Sequence, residues 1–594
     1  MNGHLIKNMA ATVTALLLAL PVFAQNRIIK GTVTDENGEP LIGVGIQIEG
    51  TAKGTVSNEK GFYEISASDA DRLVFSYIGF STVTVPAKGR NVLDIMLKED
   101  GKVLDEAVVI GYGTMKRSDL TGSVSSISAK AIADYKSGTV LDAMGGKVAG
   151  VYITAADGTP GAGFDVKIRG VGTVNGNTAP LYIVDGFETD DIDFLANQDI
   201  QSIEILKDAS ASAIYGSRAA NGVVLVTTRS GREGRPQISY NGSASYSILA
   251  DRMEVLSPYE FVKLQMELNP ARYEGRYYRA GEDAEGNPWR YQSLEDYKNV
   301  KGIDWQAEAF RPTWSQNHDV SISGGGKTNT YLASFSHFNN QGIMIGSSFK
   351  KNAARIKFFQ KLFDWLSFNG SVNYTSSVQT GIGTGGGTLS AILQSRPTGG
   401  LFISNEELRH NAVDPIYEQL GLAYSNYFNP LINAEKVKQS NRIDQWIASV
   451  GLNAAITKRL TFKSNFTWNQ AFRRTDIFYG EGSSQAARTS GPNGNSRTQK
   501  SLRWSNSNTL NYKNTFAKVH KVDLMLGHET SYESNEFLYG EAYDSPLDEF
   551  GTDNLGLGAT PSNVNSGKSD RRKLSFFGRA FYNYADRYML TATV

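Results

Sequence analysis

The chain has 594 residues, enough for roughly four domain-sized units. Its 60 lysines and arginines balance 60 aspartates and glutamates, which gives no electrostatic footprint for a nucleic-acid partner, and the lack of cysteine excludes disulfides, iron–sulfur clusters, cysteine-ligated zinc, thiol nucleophiles and a lipoprotein cysteine. The six histidines (His4, His318, His337, His410, His520, His528) show no short ligand spacing, and His528-Glu529 lacks the second histidine of a metalloprotease helix, so no metal, cofactor or catalytic centre is expected.

Lys7 leads into an apolar run over residues 9–20, and Val22-Phe23-Ala24 puts small residues at a peptidase site, which predicts a removable secretory signal over residues 1–24. No other stretch can cross a bilayer as a helix, so any span must be built from strands. Residues 26–99 alternate short β-rich runs with turn signals such as Asn37-Gly38-Glu39-Pro40 and Lys88-Gly89-Arg90. They predict a small sandwich with Phe62, Ile65, Leu73, Phe75, Tyr77 and Ile78 in its core. Residues 100–114 read as a linker around Ala107-Val108-Val109-Ile110, flanked by acids before and glycines after, a setting for a lightly tethered extended strand.

Residues 115–234 mix short helices with strands, an α+β pattern. Val166-Lys167-Ile168-Arg169-Gly170 and Leu181-Tyr182-Ile183-Val184-Asp185-Gly186 read as strands ending in turns, and Ile203-Glu204-Ile205-Leu206 as another. Asp208 is expected to cap a helix through Tyr215 that stops at Gly216. Val223-Val224-Leu225-Val226-Thr227-Thr228 reads as a strand buried on both faces. Gly170, Gly186, Gly216 and Gly222 are expected at turns or close backbone approaches.

From residue 235 onward the pattern alternates at period two. Leu366, Phe368, Gly370, Val372 and Tyr374 interleave with Ser367, Asn369, Ser371 and Asn373, and Leu460, Phe462, Phe466 and Trp468 with Thr461, Lys463, Asn465 and Thr467. A soluble sheet also alternates. Strand length, aromatic residues near strand ends and long polar loops over residues 378–440 and 482–499, all behind an export signal, favour strands of a transmembrane β-barrel. Gly324-Gly325-Gly326-Lys327-Thr328 lacks the first glycine of a phosphate loop and reads as a hairpin turn. Gly170-Val171-Gly172-Thr173-Val174-Asn175-Gly176 misses the dinucleotide spacing by one residue.

Several of these stretches resemble known families. Gly31-Thr32-Val33, Gly38-Glu39-Pro40-Leu41-Ile42-Gly43-Val44, Ser57-Asn58-Glu59-Lys60-Gly61-Phe62-Tyr63 and Tyr77-Ile78-Gly79-Phe80 are similar to the carboxypeptidase-regulatory-like (transthyretin-like) domain, which implies a structural or interaction module. Leu104-Asp105-Glu106-Ala107-Val108-Val109-Ile110-Gly111-Tyr112-Gly113, then Arg117-Ser118-Asp119-Leu120-Thr121-Gly122, Leu181 to Gly186, and Lys207-Asp208-Ala209 through Tyr215-Gly216-Ser217-Arg218-Ala219-Ala220-Asn221-Gly222 resemble the SusC-like (RagA-like) TonB-dependent outer-membrane transporters. The resemblance implies a mainly β chain: an amino-terminal sandwich, an α+β plug domain and an incomplete antiparallel transmembrane β-barrel. It assigns Asp105, Glu106, Ala107, Val108, Val109 and Ile110 as the TonB box and Arg169, Asp185, Lys207, Asp208, Tyr215 and Arg218 as plug-motif residues. The charged ones among these are expected to pair with one another or with the wall. It further implies the outer membrane of a Gram-negative bacterium and, as partners, TonB with its inner-membrane energising complex, a SusD-like surface lipoprotein, a glycan or oligopeptide substrate and outer-membrane lipid.

The 359 residues after Arg235 hold about 11 candidate strands. A plug of this size has a hard radius of about 17 to 18 Å, whereas 12 strands close at a radius of about 12 Å and 22 strands at about 22 Å. The chain is therefore expected to be the amino-terminal portion of a longer protein and to form an open sheet. The leading expectation is import of a large nutrient, without enzymatic activity. The alternatives are an outer-membrane surface receptor and a carbohydrate-binding β protein, neither of which transports.

Overall fold

In a computed structural model of the chain, the described residues are 27–594 except 36–37, 52, 78–79, 99–106, 111–112, 117–123, 134, 136–137, 174–175, 177, 209–211, 382–387, 421–427 and 490. The expected signal segment lies outside them. They fall into two compact units whose boundary runs within residues 108–120.

Strands β1 (Arg27–Thr34), β2 (Gly45–Ile48), β3 (Gly54–Val56), β4 (Phe62–Ala67), β5 (Arg72–Ser76), β6 (Val83–Pro86) and β7 (Ile95–Met96) build the first unit. Their two sheets, ordered β4-β1-β7 and β3-β2-β5-β6, close over Ile29, Val33, Ile46, Tyr63, Ile65, Leu73 and Phe75, with Tyr77 half-buried against them. The expected core is corrected at Phe62, which is exposed while Tyr63 is buried. Alternation along β4 leaves no choice: with Ile65 inward, Tyr63 and Ala67 must follow it and Phe62 must face out. The Tyr63 hydroxyl donates to the Leu93 carbonyl at 2.7 Å, satisfying the polar end of a buried ring. Ile78 lies outside the described residues.

The plug consists of β10 (Val124–Ser128), β11 (Val151–Ala155), β12 (Phe164–Ile168), β13 (Leu181–Val184), β14 (Phe187–Thr189), β15 (Ile200–Leu206) and β16 (Val223–Thr228), after two linker strands, β8 (Ala107–Ile110) and β9 (Gly113–Lys116). Its main sheet is ordered β10-β15-β16-β13-β14, which puts β16 in the middle and explains its apolar sequence on both faces. The expected helix after Asp208 is corrected. Residues 209–211 lie outside the described residues, and the chain from Ala213 to Asn221 forms a 3-10 segment, broken at Gly216 by a φ of 69° that a regular helix cannot hold.

Eleven strands form the wall: β17 (Gly234–Ser247), β18 (Thr313–Gly325), β19 (Asn329–Gln341), β20 (Ser348–Phe363), β21 (Leu366–Thr380), β22 (Val437–Ala455), β23 (Leu460–Tyr479), β24 (Asn493–Phe516), β25 (His520–Tyr543), β26 (Thr560–Tyr584) and β27 (Tyr588–Thr593). They pair antiparallel in chain order, with β17 and β27 at the two edges. Burial decides what periodicity alone could not. Ile356, Val372, Trp446, Val450 and Phe466 are exposed, while Lys351, Arg355, Asn373, Thr375, Thr467 and Thr509 are buried. A sheet folded in water would cover its apolar phase; this one covers its polar phase and turns its apolar phase outward, the pattern of a wall set in lipid.

Gly324-Gly325-Gly326-Lys327-Thr328 closes the β18–β19 hairpin. The second expected loop is shorter than 482–499, because β24 already begins at Asn493. Residues 248–312 and 381–436 leave the same end of the wall and carry helices that alternation does not signal, among them Pro258–Leu268, whose Ser257 and Glu260 make a capping box. The two loops share a core in which Tyr277 and Tyr297 pack with Ile416 and Tyr417. Arg396 is buried and donates from Nη2 to Asp414 at 2.8 Å. Arg396→Ala would leave that carboxylate buried without its cation, held only by the Ile416 and Tyr417 amides, at a cost of about 3 kcal/mol. Amide exchange should accelerate in residues 258–300 and 396–420 and stay unchanged in the sandwich.

Candidate functional site

Two residues build the centre of the site through their backbone. Val184 and Phe187 pair across the turn Asp185-Gly186, with φ values of 49° and 88°. Positive φ at both central residues is the type I′ geometry for which Asp-Gly is a strong sequence signal. The turn carries the Asp185 carboxylate to the end of β16, where the Thr228 amide donates at 3.0 Å and its hydroxyl at 2.5 Å. From the wall, Arg355 Nη2 donates to the same carboxylate at 3.0 Å and Lys357 Nζ at 3.1 Å. Burial alone would raise this carboxyl; Lys357 and Arg355, with Thr228, outweigh burial and hold it at about 2.

Most of the other links between plug and wall are also polar. Asp199 accepts from the Ser334 hydroxyl at 2.7 Å. Lys351 Nζ donates to the carbonyls of Gly138, Asp193 and Leu195 at 2.6, 3.1 and 3.1 Å. Thr375 donates to the Phe194 carbonyl at 2.9 Å, and Arg503 Nη2 reaches Asp190 at 3.0 Å. Ile447 of β22 adds an apolar contact with the plug core. Among the described residues no strand is shared between the plug sheets and the wall sheet.

The residues singled out from sequence separate into three groups. Arg169 pairs with Asp208, and Arg218 with Glu188, both inside the plug. Lys207 Nζ donates to the Ala149 carbonyl at 3.2 Å, and Tyr215 is half-buried on the 3-10 segment beside a cavity that Arg218 also lines. Asp185 ion-pairs with the wall, through Arg355 and Lys357. Asp105 and Glu106 lie outside the described residues. Ala107, Val108, Val109 and Ile110 are strand β8, which pairs with β9 as a two-stranded sheet separate from the sandwich and the plug sheets. Gly170, Gly186, Gly216 and Gly222 all have positive φ, and a Cβ on Gly222 would press within 2.8 Å of Ile168.

Sequence reasoning missed Thr228, Lys351, Arg355 and Lys357. A signal existed on β20: Lys351, Arg355 and Lys357 share one phase while Ala354, Ile356 and Phe358 occupy the other, so three cations had to face whatever fills the lumen.

A cavity of about 420 Å³ lies between the plug residues 189–194 and the wall. Asp190, Asp191 and Asp193 line its plug side and Arg473, Arg503 and Gln445 its wall side. Its setting in the lumen and the neighbouring Asp193 push the Asp191 carboxyl up to about 6, and burial raises Asp193 as well. Donors, acceptors and both signs of charge therefore meet in one ligand-sized space.

Residues 116–223 match the family described as TonB-dependent Receptor Plug Domain, and residues 29–109 the CarboxypepD_reg-like domain. TonB-dependent receptor P26 of Formosa agariphila is 33% identical over 579 residues, covering 95% of this chain and 55% of the relative. TonB-dependent receptor SusC of Bacteroides thetaiotaomicron is 30% identical over 629 residues, covering 100% and 58%. The chain thus spans about half the length of the curated relatives it matches. Among solved structures, the RagAB peptide transporter superposes with a TM-score of 0.65 at 22% identity, over 80% of this chain and 55% of that one, a likeness of fold.

Proposed function

Since this chain belongs to the SusC-like family of TonB-dependent receptors, we propose that the protein it represents imports a large nutrient, a glycan or an oligopeptide, across the outer membrane of a Gram-negative bacterium. TonB would supply the pull through residues 105–110, and a SusD-like lipoprotein would hold cargo at the surface. One observation carries the reading. Among the described residues the plug meets the wall through side-chain hydrogen bonds, ion pairs and an apolar contact at Ile447 and shares no strand with it, so the two can part without breaking a β-ladder. Links of this kind keep a plug seated at rest and give way singly under tension. The printed title of one solved structure of like fold, a peptide transporter, keeps an oligopeptide beside a glycan as candidate cargo.

Cells carrying the full-length gene should place the protein in the outer-membrane fraction and accumulate a labelled cargo only while the inner-membrane energiser is intact. Accumulation that persists without the energiser would end the import reading. A soluble protein would favour the carbohydrate-binding alternative.

A further inference from the structure

We propose that the cavity between the plug residues 189–194 and the wall selects an oligopeptide over a glycan, with Asp191 and Asp193 taking a positively charged group of the peptide, its amino terminus or a lysine or arginine side chain. The inference rests on the import reading above and names the cargo class within it.

Charge in the cavity is unbalanced. Its lining carries four carboxylates, Asp190, Asp191, Asp193 and Glu533, against three cations, Lys351, Arg473 and Arg503. Arg503 is engaged by Asp190 at 3.0 Å and by Glu533 at 3.3 Å. Lys351 has three ammonium protons, and the carbonyls of Gly138, Asp193 and Leu195 accept all three. Among the described residues neither Asp191 nor Asp193 has a cation within ion-pair distance. The Asp191 carboxylate accepts from the Asp193 amide at 3.2 Å, which holds the two acids on one turn. Asp193 Oδ1 is buried in the lining without a hydrogen bond. A buried acceptor left unmade costs about 1–3 kcal/mol, and more when it is charged, so a donor that arrives with the cargo removes a standing penalty. Burial and then the Asp193 charge raise the Asp191 carboxyl, and Arg473 offsets only part of that.

The rest of the lining suits peptide groups. Asn441 and Gln445 of β22, Asn469 of β23 and Gln499 of β24 present carboxamides, each with donors beside an acceptor, the complement of the N–H and C=O that a peptide group offers. A sugar ring stacks its C–H face on an open aromatic ring, and among the described residues the lining holds no tyrosine or tryptophan. Of its two phenylalanines, Phe194 is packed into the plug core and Phe349 presses on Gly161, where a Cβ would come within 2.3 Å of the ring. The volume, about 420 Å³, suits a short peptide or one end of a longer one.

Full-length protein purified in detergent would be titrated with four probes: trilysine, trilysine acetylated on every amine, triglutamate and maltotriose. Wild type should bind trilysine at least about tenfold more tightly than each of the other three. Asp191→Asn with Asp193→Asn should lose about tenfold for trilysine and leave the acetylated peptide unchanged, and Asp191→Glu with Asp193→Glu, which keeps both charges, should fall between. Retained heat-modifiable gel mobility shows that a variant is folded. If the asparagine pair fails that check, Asp191→Asn alone carries the test, with the same direction expected. Unchanged trilysine affinity in a folded variant, equal affinity for trilysine and its acetylated form, or tighter binding of maltotriose overturns the assignment. Uptake that does not need the energiser, beside intact trilysine selectivity, would instead overturn the import reading and leave the site standing.

Discussion

Removing residues 105–110 from the full-length protein should abolish uptake while cargo binding at the cell surface stays within about twofold. The expectation rests on how an extended segment transmits force. A strand that adds to another protein's sheet edge is held by main-chain hydrogen bonds in series, so its grip depends on free backbone donors more than on side-chain identity. Among the described residues, strand β8 (Ala107–Ile110) pairs with β9 and with no strand of the sandwich or of the plug sheets, so its exchange into a partner's sheet breaks one short ladder. A single substitution separates the mechanical role from a sequence-specific contact. Val109→Pro removes a donor and clashes in a ladder, and should behave like the deletion; Val109→Ala keeps the backbone and should retain most uptake. Uptake of labelled cargo, measured beside binding to de-energised cells, is the readout. Persistence of uptake in the deletion would mean that force, if any is applied, enters elsewhere.

The layered order of sandwich, linker, plug and wall was legible because each segment has its own period and punctuation. Asp185-Gly186 announced a two-residue hairpin, and the β16 run announced a strand covered on both sides. What sequence could not supply was the partner across the lumen. Asp185 reads equally well as a solvated turn residue until β20, 170 positions away, delivers Arg355 to it. The error at Phe62 has a related cause: both Phe62 and Tyr63 are aromatic, and only the phase fixed by Ile65 tells which one is inside. Helices in the loops 248–312 and 381–436 escaped notice because they are short and half-exposed, and cohere through tertiary contacts such as Arg396 with Asp414.

Asp185→Leu should loosen the plug from the wall more than any other single change among the described contacts. The substitution leaves Arg355, which is buried, and Lys357 without their carboxylate, and removing one partner of a buried pair costs about 3–5 kcal/mol. Asp185 keeps 27% of its side-chain exposure, which puts the expected loss near the lower end, about 3 kcal/mol. In cells, the full-length variant should admit an antibiotic too large for general porins, and in detergent its amides over residues 181–189 and 223–228 should exchange faster. Acid gives an independent check with a defined sign. The Asp185 carboxyl sits at about 2, below its ordinary 3.8, so its contribution is present above about pH 4 and is lost as pH falls from 4 through 2. The shift amounts to about 2 kcal/mol of protection that wild type should lose in that window and the leucine variant should lack throughout. Asp191 slopes the other way: raised to about 6, it favours the folded plug when protonated and withdraws that support as pH climbs from about 4 to 6. The variant should keep the second slope and lose the first. A variant that keeps both would show that the two wall cations are balanced by another group, and that Asp185 is not what seats the plug.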